Sequence, residues 1–121
     1  MSSILIIDDD AQILKMLRQI LEREKYHVAE ASNGKEGLIR YRESPTDLVI
    51  TDIIMPEKEG IEIIIELKRD YPDVKIIAIS GGGRINPDDY LDIAKKLGAN
   101  RIFAKPVERK ELLNAVRELL G

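Results

Sequence analysis

The sequence predicts an α/β fold with a parallel, doubly wound sheet, and three observations predict it. Short β-branched apolar runs alternate five times with longer segments of helical period across 121 residues. Those runs mostly lack in/out alternation, as strands covered on both faces do. Acidic residues stand directly behind the first and third runs, where open α/β sheets bind their ligands.

The elements follow in order. Ile4–Ile7 is a buried strand that runs straight into Asp8, Asp9 and Asp10. Ile13, Leu14, Leu17, Ile20 and Leu21 form one apolar helical stripe, with Asp10 as its N-cap. His27–Ala31 is the second strand, opened by the sole histidine as a surface residue. Asn33 with Glu36 three residues on is a capping pattern for a helix running to about Tyr41. Asp47–Thr51 is the third strand and delivers Asp52. Gly60–Arg69 is the third helix; Pro56 turns the chain before it, and Gly60 serves tight packing or an unusual backbone angle. Val74–Ser80 is the fourth strand. Tyr90, Ile93, Ala94 and Leu97 mark the fourth helix, with Asn86 as N-cap, Pro87 at its first position and Gly98 just past its end. Arg101–Ala104 is the fifth strand, and Leu112, Leu113, Val116, Leu119 and Leu120 stripe the last helix. The charge runs Leu21–Lys25 and Glu108–Glu111 read as solvated helix faces.

Five βα units with right-handed crossovers imply a flavodoxin-like (βα)5 arrangement, whose common strand order is 2-1-3-4-5. No linker, repeat or low-complexity tract divides residues 1–121, so they are expected to form one domain without an effector domain. Charged residues at 34% and apolar ones at 44% are the balance of a soluble protein. A net charge of −3 gives no overall basic field for nucleic acid. The absence of cysteine excludes disulfides and thiolate chemistry. No apolar run has membrane-spanning length, and "MSSILII" lacks a basic segment and cleavage site, so a cytoplasmic location is expected.

In the expected order the first and third strands are neighbours, about 4.8 Å apart. Asp8, Asp9 and Asp52 then converge on one pocket although they are far apart in sequence. Clustered carboxylates disfavour one another's ionisation unless a cation is shared, and a hard ion such as Mg²⁺ suits oxygen ligands. Ser80 adds a hydroxyl from the end of the fourth strand, and Lys105 an ammonium from behind the fifth. This set is poor for acyl transfer. It suits a phosphoryl group, with a carboxylate as nucleophile and cations against the equatorial oxygens.

These residues resemble the response-regulator receiver domains (CheY-like) of two-component signalling. The resemblance rests on Asp8-Asp9, on "TDIIMPEKEG" around Asp52, on Ser80 and on Lys105-Pro106, and it covers essentially the whole chain. It implies that Asp52 accepts a phosphoryl group from a histidine kinase phosphohistidine. It also implies that Asp9 binds Mg²⁺ (or Mn²⁺) directly, Asp8 through water, and the Ile54 backbone carbonyl as a further ligand. Lys105 would pair with the phosphoryl group, and the Lys105–Pro106 bond would be cis. The implied protein is a switch that promotes only its own phosphorylation and dephosphorylation. It meets a kinase or phosphotransfer protein, and it presents the fourth helix, fifth strand and fifth helix to a downstream protein. Neither nucleic acid nor membrane is an expected partner.

The sequence departs from the family's pattern in three places. Ile102 stands where many receivers carry a switching Tyr or Phe, and the aromatic is displaced to Phe103, on the opposite sheet face. Either Ile102 gives a reduced, apolar version of that switch with Ser80, or the signal travels by the loop. A glycine-rich insertion, Gly81-Gly82-Gly83, follows Ser80, either as a tolerated surface loop or as one that orders on phosphorylation. Asn100-Arg101 replaces the acidic pair through which many DNA-binding regulators dimerise, so a monomer or a different association is expected. Ile54 and Gly82 fill two positions that govern phosphoryl lifetime, and neither side chain can hydrogen-bond an attacking water. Two rival functions share the fold class. One is a haloacid-dehalogenase-like phosphatase using Asp8, for which Asp8-x-Asp10 speaks but Gln12 and the missing room for a cap do not. The other is a non-phosphorylated adaptor.

Overall fold

The protein, seen in a computed structural model, is described over residues 2–53, 60–80 and 87–121. The strands are β1 (Ser3–Ile7), β2 (His27–Ala31), β3 (Leu48–Asp52), β4 (Ile76–Ser80) and β5 (Arg101–Ala104). The helices are α1 (Ala11–Arg23), α2 (Gly34–Glu43), α3 (Gly60–Asp70), α4 (Pro87–Lys96) and α5 (Arg109–Leu120). All strand pairs are parallel, as the alternation of elements predicts, and their order β2-β1-β3-β4-β5 is the common doubly wound one expected for five strands. Ile54, Met55-Pro56, the Gly81–Gly83 insertion and Asn86 lie outside the described residues.

Two apolar layers enclose the sheet. Leu5, Ile7, Val49, Ile53 and Ala78 pack on one face against α2, α3 and α4, through Leu38, Ile63, Leu67 and Ala94 among others. Ile4, Ile6, Leu48, Ile50, Ile77 and Ile79 pack on the other against Leu14, Leu17 and Leu21 of α1 and Leu112, Leu113 and Val116 of α5. The uninterrupted apolar character of β1, β3 and β4 thus has its cause in burial from both sides. The two edge strands differ: β2 and β5 are only partly covered, because each has a neighbour on one side alone.

The ends of elements refine the sequence reading. Leu48 rather than Asp47 begins β3, since the Asp47 carboxylate accepts hydrogen bonds from the Ser3 amide and hydroxyl and stands outside the ladder. Likewise β4 begins at Ile76, because the Val74 amide is held in a turn by the Tyr71 carbonyl. Asp10 caps α1, its carboxylate accepting from the amides of Gln12 and Ile13. Asn33 caps α2 through the Glu36 amide, while the Glu36 carboxylate reaches back to the Ser32 amide and hydroxyl rather than to Asn33. The charge runs are not only solvated faces: Glu24 is ion-paired with Arg117, and Glu108 is the N-cap of α5. Gly98 takes a positive φ of 117° just past α4. Among the described residues no helix is long and apolar enough to cross a membrane.

Candidate functional site

The register fixes which side chains meet at the carboxyl end of the sheet. Ile7 pairs with Thr51, so Asp8 and Asp9 leave β1 beside Asp52 at the end of β3. Ser80 pairs with Ala104, and the Lys105 amide donates to the Ser80 carbonyl at 2.8 Å. Lys105 therefore starts behind β5, three strands from β1, and its side chain reaches back past β4 and β3.

Carboxylate oxygens of Asp8, Asp9 and Asp52 lie within 4.8 Å of one another. Asp8 and Asp52 are buried and Asp9 is exposed, so the cluster is sunk on one side and open on the other. The Lys105 ammonium sits between the two buried acids, donating to Asp52 Oδ2 at 2.9 Å and to Asp8 Oδ2 at 3.0 Å. The other Asp8 oxygen accepts from the Asp10 amide at 2.9 Å. Burial raises the Asp8 carboxyl above its ordinary value; the Asp10 amide opposes this, the charge of Asp52 reinforces it, and Lys105 opposes it. Burial pulls the Lys105 ammonium down, but its hydrogen bond to Asp52 and then Asp8 outweigh burial, so it stays above its ordinary value. The pocket is thus a compensated charge cluster with a surplus of negative charge toward solvent.

Ser80 ends β4, one position past Ile79, the strand partner of Asp52. Its hydroxyl is fully buried and has no hydrogen-bond partner among the described residues, an uncommon condition for a buried polar atom. An arriving oxygen-rich group would satisfy it. Ile102 pairs with Ala78 and packs toward the α3 and α4 layer, whereas Phe103 packs toward α1 and α5. The two do face opposite ways. The Lys105–Pro106 bond is cis. Ile54 and Gly82 lie outside the described residues.

Two features of the site escape sequence reasoning. Lys105 binds Asp8 as well as Asp52, which only the register reveals. Thr51, read from sequence merely as the end of a strand, is fully buried and donates its hydroxyl to the Asp52 carbonyl at 2.9 Å. A threonine directly before an acid at a strand end was the available signal.

Comparison with known proteins decides the family. The description of the response regulator receiver domain matches residues 4–117. The chain belongs to the response regulator receiver domain family. It is 34% identical over 122 residues to the response regulator receiver protein CpdR of Brucella abortus, covering 99% of this chain and 98% of that protein. It is 36% identical over 117 residues to the chemotaxis protein CheY of Thermotoga maritima, covering 96% of this chain and 95% of that one. A response regulator receiver domain protein from Clostridium thermocellum superposes with a TM-score of 0.91 at 34% identity, covering 99% and 94% of the two chains. Receiver domains are the phosphorylation-activated signalling switches of two-component systems, and they interact with histidine kinases or phosphotransfer proteins and with downstream effectors. This receiver domain has their fold and an acidic cluster able to hold a metal ion.

Proposed function

We propose that Asp52 is the phosphoacceptor of this receiver domain. Its carboxylate oxygen attacks the phosphorus of a kinase phosphohistidine, forming a P–O bond as the N–P bond breaks. The imidazole leaves with the electron pair of that bond and takes up a proton. The observation that carries this reading is a buried acid with an ammonium at 2.9 Å, beside a strand end whose buried serine hydroxyl has no partner among the described residues. Lys105 shifts from the carboxylates to a phosphoryl oxygen, and Ser80 donates to another.

The donor set suits Mg²⁺ or Mn²⁺: all oxygen, three carboxylates within 4.8 Å, and excess negative charge. Asp8, Asp9 and Asp52 would hold the ion, with the Ile54 carbonyl as a further ligand. When bound it supplies positive charge against the phosphoryl oxygens. Asp10 stays out of this chemistry as a helix cap, which speaks against a phosphatase built on Asp8-x-Asp10. The domain promotes its own phosphorylation and dephosphorylation and turns over no other substrate.

The output is read on α4, β5 and α5, where Ile93 is exposed and Ile102 stands opposite Ala78, two positions before Ala104, the strand partner of Ser80. The test is direct. Wild type and Asp52→Asn are incubated with Mg²⁺ and phosphoramidate, and acid-labile adducts are mapped by mass spectrometry. An adduct on Asp52 of the wild type, absent from the variant, is the expected result. No adduct, or one that survives the substitution, overturns the assignment.

A further inference from the structure

We infer that Thr51 and Gly60 are positioning residues that fix the main chain of Asp52 and thereby aim its carboxylate. The inference rests on Asp52 being the phosphoacceptor. The β1–β3 register ends at Ile7 and Thr51, so the regular ladder toward β1 stops just before Asp52. On the other side β4 still holds the amide end of the Asp52–Ile53 peptide, the Ile53 amide donating to the Ile79 carbonyl at 3.0 Å, so it is the carbonyl end that needs a local restraint. The buried Thr51 hydroxyl donates to the Asp52 carbonyl oxygen at 2.9 Å. From the other side α3 begins at Gly60, whose backbone is pressed against the same peptide. A Cβ placed there would lie 2.1 Å from the Asp52 carbonyl oxygen and 2.4 Å from the Ile53 Cα. Both are main-chain atoms, which cannot swing away as a flexible side chain can, so any larger residue displaces the peptide itself.

The two contacts act on the same bond. With the amide end held by Ile79, the hydroxyl fixes the carbonyl end of the Asp52–Ile53 peptide plane, and the absent side chain lets α3 close down on it. The Asp52 side chain leaves from the same residue, so a tilt of that plane swings the carboxylate relative to Lys105 and Ser80. Nucleophilic attack is sensitive to such misplacement, because reacting atoms must be held in line and close together. Gly60 is thus explained by tight packing rather than by an unusual backbone angle.

The test combines phosphorylation kinetics with a signal that needs neither metal nor phosphate. Thr51→Val keeps the branched shape without the hydroxyl, and Thr51→Ser keeps the hydroxyl. Initial phosphorylation rates are measured over a range of phosphoramidate concentrations at saturating Mg²⁺. The maximal rate of Thr51→Val is expected to fall about tenfold with an unchanged half-saturating concentration, and Thr51→Ser to restore it. In the metal-free protein the Asp52 carbonyl-carbon resonance is expected to move in Thr51→Val and return in Thr51→Ser. Gly60→Ala should lower the maximal rate further; if that variant does not fold, the Thr51 pair decides. A wild-type maximal rate in Thr51→Val, or an unmoved resonance, overturns the inference. Failure of the wild type itself to be phosphorylated at Asp52 sinks the proposed function instead, and the resonance still decides whether the restraint exists.

Discussion

Lys105 is the residue on which the charge of the site turns. Its ammonium bridges two carboxylates whose side chains are 2% and 6% exposed, while its own is 20% exposed. Removing one member of a buried charge cluster costs more than the cluster is worth, because the remaining charges are left facing each other. Without divalent cations, Lys105→Met is expected to lower unfolding free energy by about 2 kcal/mol, under the ~3–5 kcal/mol of a fully buried pair. Urea titration measures this, and the deficit should shrink when Mg²⁺ is added. A deficit that ignores the cation would show that the lysine acts by packing alone. The residue types at this site were legible in the sequence because their chemistry is unusual in company: acids, a hydroxyl and an ammonium at successive strand ends. Their contacts were not. That Lys105 also holds Asp8, or that Thr51 holds the Asp52 carbonyl, depends on a register and a rotamer that composition does not encode.

Among the elements, α2 shows how a cap couples helix stability to pH. Hydrogen bonds from Arg40 and then Ser32 hold the Glu36 carboxyl below its ordinary value of 4.5. A depressed folded-state value contributes stability above pH 4.5, and that stability is lost as pH falls through the folded value. Because Glu36 is largely exposed, the effect is small, a few tenths of a kcal/mol. Glu36→Gln should therefore melt slightly below wild type at pH 7, and the gap should close below pH 4.5. A gap that persists in acid would mean that the amide fails the cap for reasons other than charge. At the end of α4, Gly98 has a φ of 117°, where a Cβ is strained, so Gly98→Ala should cost about 1 kcal/mol in unfolding free energy. Phosphorylation of Asp52 should be unaffected, since Gly98 abuts Lys68 and not the pocket. Both caps were visible in sequence as local patterns. The starts of β3 and β4 were not, because they depend on partners brought by the fold: Ser3 for Asp47, and the Tyr71 turn for Val74.

At the scale of the whole molecule, strand order alone brings the site together. Asp9 and Asp52 come from separate βα units, and alternation implies the parallel sheet, whereas the strand order is the common one of the fold class. A ligand that binds only the assembled pocket must stabilise the entire fold by mass action. Mg²⁺ at about a hundredfold above its dissociation constant should add ~2.7 kcal/mol to unfolding free energy. Thermal melts of wild type and Asp52→Asn across a Mg²⁺ series test this, with a clearly smaller rise expected for the variant. Equal rises would place the ion elsewhere. The edge strands differ from the centre: β2 carries His27 and Glu30 and β5 carries Arg101, and both are covered less because each has a neighbour on one side alone.

The bridge from Lys105 to Asp8 spans 97 positions of sequence, tying the first strand's end to the last. During synthesis the acids emerge long before the cation that balances them. A truncated chain stopping before Arg101 would carry Asp8 and Asp52 without the Lys105 ammonium, an electrostatic penalty that the final unit relieves. Competence to accept a phosphoryl group is then a report of completeness: a half-made or broken domain cannot pass for a working one.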